Sequence, residues 1–307
     1  MPVIYPNYYF LGSLLTFLFC LFIGIFLFRI RERSAATFHF GILMVFMGLF
    51  NLSYVVAQGF YPLPIFFPRW FNIYTALGGA FQGALFFRHF PTSLSLKFTR
   101  RYAITGHAIL FLVSLYLAYG MYKAPVYFLS NSDFWDSDTL PLQKYFGFLI
   151  MLTFMNFIGM GIWRGFKERG VERAIVWLLT LSFSIVTVVP GILNILSRDN
   201  LIPRSMYQTA ITVFSLIGFF TSVVLYINVT KDRTSTLARI VSISLVTVLL
   251  ILQAVSYFWM RDAERNFDAV TYGRAREGYV LGRLPEKAAA VYIYDYGKQK
   301  LHTPIPD

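Results

Sequence analysis

Tyr8-Tyr9-Phe10-Leu11-Gly12-Ser13-Leu14-Leu15-Thr16-Phe17-Leu18-Phe19-Cys20-Leu21-Phe22-Ile23-Gly24-Ile25-Phe26-Leu27-Phe28 carries no charge, and Arg29-Ile30-Arg31-Glu32-Arg33 follows it at once. About 20 such residues in a helix cross the hydrocarbon core of a bilayer, so the run predicts a transmembrane helix. The arginines mark the side on which it ends. The pattern recurs: apolar runs near 8–28, 38–58, 69–89, 102–121, 144–164, 174–195, 205–228 and 238–258 predict eight spans. Hydrophobic residues make up 57% of the 307, with 33 Phe and 20 Tyr against 14% charged residues. That is far more apolar surface than a soluble core of this size needs. The fold class expected is all-α, a polytopic membrane bundle of about eight transmembrane helices with a short polar C-terminal α/β extension.

Lys and Arg alternate between loops. Arg29, Arg31, Arg33, Arg88, Lys97, Arg100, Arg101, Arg164, Lys167, Arg169, Arg173, Lys231, Arg233 and Arg239 fall on one side, and only Arg69, Lys123, Lys144, Arg198 and Arg204 on the other. The rich side is expected to be cytoplasmic, which puts the chain in the inner membrane with both termini extracytoplasmic. The formal charge of +12 is then explained by topology and by anionic membrane lipid, and no nucleic acid is required. Met1 to Asn7 lacks Lys and Arg, which argues against a cleaved signal peptide.

Two regions are expected, a transmembrane helical bundle at 1–258 and an extracytoplasmic tail at 259–307. The tail opens with a charged stretch, Trp259 to Arg276, that reads as a helix extension. Val291 to Tyr296, Gly297-Lys298 and Gln299 to Thr303 then read as strand, turn and strand.

Within the spans, the small, polar and proline residues are informative. Ala76, Gly79, Ala80, Gly83 and Ala84 line the third span at spacings that admit a neighbouring backbone. This predicts a central helix in which Leu at Gly79 or Gly83 is damaging and Ala nearly silent. Pro190-Gly191 interrupts the sixth span and predicts a kink that can serve as a hinge. Asn194, one turn on, can serve the freed backbone groups or face a cavity. Asn51, Gln82, Asn156, Gln208, Asn228 and Gln253 read as interhelical glue. Aromatic residues crowd the poorly charged rim, mostly as an interfacial belt. Trp70, Phe134, Trp135 and Asn194 are the candidates for a ligand pocket open to that side.

The sequence places no Asp, Glu or Lys near the middle of a span, where proton-coupled transport and voltage sensing usually keep ionisable groups. The four histidines form no metal-binding spacing. At a rise of 1.5 Å per residue, His39, His89 and His107 are expected within about two turns of the cytoplasmic face. No metal site and no cofactor is assigned. Cys20 reads as a small packing residue. No nucleophile elbow, phosphate loop or kinase signature occurs, so the chain is not expected to be an enzyme.

Val189-Pro190-Gly191-Ile192-Leu193-Asn194, the Ile202-Pro203-Arg204 entry to the seventh span, and the exit Asn228-Val229-Thr230-Lys231-Asp232-Arg233-Thr234 form a set. Together with Gln253 in a further span, they resemble the N-terminal membrane region of bacterial multi-helix signalling receptors. The resemblance covers mainly residues 170 to 270. It implies a sensor-like helix bundle that passes a cue to a cyclase, histidine kinase or regulatory phosphatase output. This chain departs from that pattern by carrying no output domain, so it reads as a sensor fragment, a stand-alone subunit or a protein whose downstream half is encoded separately; a signalling partner or output domain is expected, and a homo-oligomer is compatible with it. A small-molecule transporter and a cofactor-binding membrane enzyme are the alternatives.

Overall fold

A computed structural model describes residues 3–4, 8–61, 66–122, 124–129, 134–137, 140–198, 201–230, 232, 244, 247–248, 251–252, 254–259, 262, 293–295 and 300–302. Its long helices are α1 (Tyr8–Arg29), α2 (Ala35–Gly59), α3 (Phe66–His89), α4 (Leu96–Tyr122), α5 (Leu140–Lys167), α6 (Gly170–Arg198) and α7 (Arg204–Val229). Six of them, all but α3, are long and apolar enough to cross a membrane. The chain is therefore a helical membrane bundle. Most of the expected span at 238–258 and of the tail at 259–307 lies outside the described residues. Within the tail, β5 (Ile293–Asp295) pairs antiparallel with β6 (Lys300–His302).

Helices outrun the apolar runs because their charged first and last turns continue in helical geometry into the interface. Thus α4 begins at Leu96, six residues before the start expected from apolarity alone, and takes in Lys97, Arg100 and Arg101.

Side-by-side packing joins α1 to α2, α2 to α3, α3 to α5, α5 to α6, α6 to α7 and α7 back to α1, while α4 leans on α3 from outside this circuit. Being surrounded explains α3. Nearly all its described residues from Ile73 onward are buried, so it can hold Asn72, Thr75, Gln82 and three glycines without exposing them to lipid. The lipid-facing side chains, such as Leu112, Phe148, Leu181 and Ile195, are apolar and exposed. Several hydroxyls inside the spans are satisfied within their own helices: those of Thr16, Thr153, Thr180 and Thr187 donate to the carbonyl four residues back.

The central placement of α3 agrees with its glycines, but the two are not alike. A Cβ on Gly79 would meet the mobile Cε end of Met47 at 1.9 Å, whereas one on Gly83 would lie 2.3 Å from the ring of Phe157 in α5. Phe157 is fully buried and cannot swing away. Alanine at Gly83 is therefore not silent, contrary to the expectation from small-residue spacing. The amides also divide. Gln82 joins α2 to α4, and Asn156 donates to Tyr102 Oη at 2.6 Å. Asn51 and Asn228 instead donate to carbonyls of their own helices. Gln253 lies outside the described residues.

One end of the bundle, here the basic end, gathers the α1–α2, α3–α4 and α5–α6 connections and the residues after α7. A dense aromatic core fills the circuit behind it. Phe86 lies 5.2 Å from both Phe87 and Phe90, and Tyr226 lies 4.8 Å from Phe40. Two polar ties close this end, one half-buried and one buried. Asp232 accepts from the backbone N–H and hydroxyl of Ser34, the N-cap of α2, at 3.0 and 3.1 Å, and from the Thr37 hydroxyl. Its negative charge thus sits at a helix N-terminus, where the dipole favours it. Arg164, 1% exposed, donates to the carbonyls of Phe90 (3.1 Å) and Thr92 (2.7 Å) and pairs with Glu168 at 2.8 Å.

At the far end, β1 (Val3–Ile4) pairs with β2 (Phe60–Tyr61), and β3 (Val126–Leu129) with β4 (Phe134–Ser137). The backbone of β4 lies against α2 and α3. Tyr257 also belongs to this end, its ring 5.3 Å from that of Tyr8.

Candidate functional site

A cavity of about 150 Å³ opens from the middle of the bundle toward the far end, between α2, α3, α5, α6 and α7. Its position follows from α6. Proline has no N–H, so the Val186 carbonyl loses its helical donor at Pro190. Just toward the basic end, α6 and α7 touch closely: a Cβ on Gly218 would lie 2.2 Å from Val186 Cγ2 and 3.1 Å from the Ser182 carbonyl. Beyond Pro190 there is open space beside α6 and α5. A Cβ on Gly191 in α6, or on Gly147 in α5, would meet no atom within 4 Å, and both glycines border the cavity. Close packing on one side of the proline and open space on the other are what a hinge requires.

The walls are mixed. Phe50, Phe154 and Phe219 supply apolar surface, while Asn72, Asn194 and Ser215 supply polar groups. The Tyr54 and Tyr207 hydroxyls meet at 3.0 Å, linking α2 to α7 beside the cavity. Asn72 is oriented by donating to Ser53 Oγ at 3.0 Å. Among the described residues no charged one lines the space, so it suits an uncharged molecule that is part ring or hydrocarbon and part hydrogen-bonding group. Beside this wall, Gln208 is wholly buried, and neither atom of its amide has a hydrogen-bond partner among the described residues. The Thr212 hydroxyl is in the same state. Unpaired buried amides cost on the order of 1–3 kcal/mol, so this part of α7 is polar beyond the needs of packing. Gln208 is thus not the interhelical glue expected of it.

Of the sequence candidates, Pro190, Gly191 and Asn194 all line the cavity. Trp70 belongs to α3, and Phe134 and Trp135 to β4, with side chains outside the described set. Tyr54, Tyr207 and Asn72 were not singled out by the sequence reading. The signal available was spacing: Met47, Phe50 and Tyr54, and Tyr207, Ile211, Ser215 and Phe219, run along one face of their helices.

His39, His89 and His107 do not line this cavity. They lie toward the basic end, His107 deeper than expected because α4 starts earlier. Among the described residues, no three His, Cys, Asp or Glu are grouped to hold a metal ion. Cys20 is free and buried and packs against Gly48. In comparison with known proteins, no family model and no curated sequence matches the chain.

Proposed function

We propose that the chain is the membrane-embedded sensor module of a bacterial signalling system, and that an uncharged, partly aromatic molecule is sensed in the cavity at the Pro190–Gly191 hinge. The observation that carries this reading is the coincidence of an open, uncharged, polar-rimmed cavity with the one proline inside α6. The cavity reaches only the middle of the bundle, and the aromatic core closes the rest. A pocket backed by closely packed rings suits detection better than passage, which supports a sensor over a transporter.

In this reading the basic end is cytoplasmic and the cavity faces outward. Asp232 at the basic end and Tyr257 beside Tyr8 then bracket an eighth crossing that returns the tail to the outside. Movement of the outer half of α6 passes to α7 through Leu193, which packs against the cluster of Tyr54, Tyr207 and Ile211, and through the Gly218 contact. It leaves through the Asp232 tie to a partner protein.

Paired spin labels at the exposed Ile195 of α6 and Phe148 of α5 test the hinge. Wild type should populate two separations and Pro190→Ala one, a bias of about 1 to 3 kcal/mol. Identical distributions in the two proteins would reduce the hinge to packing. Reporter fusions at Lys97, Lys167 and Asp232 should read cytoplasmic and one after Arg276 external. A cytoplasmic reading after Arg276 would overturn the topology.

A further inference from the structure

We propose that His39, Gln82 and His107 form a proton-binding relay in the basic half of the bundle, one that holds a single proton on either α2 or α4 but never on both. The site is separate from the cavity and does not depend on the sensor reading.

The relay is a chain of hydrogen bonds across three helices. His39 Nδ1 lies 2.8 Å from Gln82 Oε1, Gln82 Nε2 lies 2.8 Å from His107 Nε2, and His107 Nδ1 lies 3.0 Å from the Ala103 carbonyl. The last contact sets the polarity. A carbonyl only accepts, so His107 Nδ1 carries the hydrogen, and the Nε2 of the neutral ring is an acceptor. Gln82 therefore turns its NH₂ to His107 and its oxygen to His39, and His39 donates from Nδ1. The amide orientation follows from the network alone. His39 Nε2 is left as a lone pair without a partner among the described residues.

A proton can enter in two ways. On His39 Nε2 it makes an imidazolium whose Nδ1–H still donates to Gln82 Oε1, and nothing else changes. On His107 Nε2 it sets an N–H against the amide NH₂, and Gln82 must rotate by half a turn so that its oxygen accepts from His107. The NH₂ then faces His39 Nδ1, which must be bare, so His39 is neutral with its hydrogen on Nε2. With both rings charged, the amide would face an N–H on each side and has one oxygen to offer. The doubly charged state is excluded by this geometry.

The surroundings act the same way. The titratable and charged groups facing the relay are His39 from α2, Arg88 and His89 from α3, and Tyr102 and His107 from α4. The His89 ring is stacked on His39, centroids 5.1 Å apart and planes within 11°, so His89 stays neutral while His39 is charged. Arg88 is already a cation beside them. The orientation of the Gln82 amide thus records which helix holds the charge.

Nuclear magnetic resonance of histidine-labelled protein in lipid nanodiscs, titrated from about pH 9 to about pH 4 around the usual imidazole range, tests the relay. At the alkaline limit His107 should be the Nδ1–H tautomer. On acidification His39 and His107 together should take up one proton. In Gln82→Leu each ring should charge on its own and the uptake should double. If that variant does not fold, His107→Phe serves, and His39 should then take up a whole proton in a simple one-site curve. An Nε2–H tautomer at His107, two fully charged rings in the wild type, or no uptake by either ring would each overturn the proposal.

Discussion

The basic half and the far half of one helix circuit obey different packing rules. The basic half is filled by interlocking aromatic rings, and its polar ties are made: buried Arg164 with the Phe90 and Thr92 carbonyls and Glu168, and half-buried Asp232 with Ser34 and Thr37. The far half keeps an open cavity, glycines facing empty space, and a buried amide on α7 with no partner among the described residues. Interiors are normally as dense as organic crystals, so the looseness of one half is a departure and the density of the other the rule. A bundle built this way can move at one end while the other stays in register.

Five substitutions bear on the contrast. Arg164→Met should be the most damaging, at about 3 kcal/mol in detergent unfolding, because it strips the donors from two carbonyls and leaves Glu168 unpaired. A loss below about 1 kcal/mol would mean that the tie behaves like a surface pair and that the basic half is not rigid. Gly83→Ala comes next. Its Cβ meets the ring of Phe157, and overpacking of this kind costs about 2 kcal/mol, while Gly79→Ala should cost less than about 1 kcal/mol because Met47 can yield. Equal losses at the two positions would show that Phe157 is free to move.

In the far half the effects shrink. Tyr207→Phe removes one hydroxyl from the Tyr54–Tyr207 contact and should cost about 1 kcal/mol in thermal unfolding. Gly191→Ala should be smallest, a gain of at most about 1 kcal/mol from helix propensity with nothing to clash against. Destabilisation by Gly191→Ala would mean that the space beside it is filled in the folded protein.

The bundle was largely legible in the sequence, because a period of about 20 apolar residues has no soluble explanation. Pro190, Gly191 and Asn194 were legible as a site because each is anomalous inside an apolar helix. Tyr54 and Tyr207 were not, since a tyrosine near a helix end reads equally as belt or as lining, and only a partner on another helix decides. The histidines show the same limit in another form. Their spacing carries no metal motif, and what unites them is Gln82, an amide on a third helix whose value depends on the packing of α2, α3 and α4. Helix starts were misplaced wherever charge begins before apolarity, as at α4, and the depth of His107 was misjudged with them.

The polarity of α3 bears on how the protein is made. A segment with Asn72, Thr75, Gln82 and three glycines partitions weakly into lipid by itself, since insertion is decided by summed side-chain hydrophobicity. Its neighbours α2 and α4 qualify as spans unaided. Biogenesis must therefore hold α3 at the translocon until flanking helices shelter it, so that the helix on which the finished circuit is centred is also the one least able to enter the membrane alone.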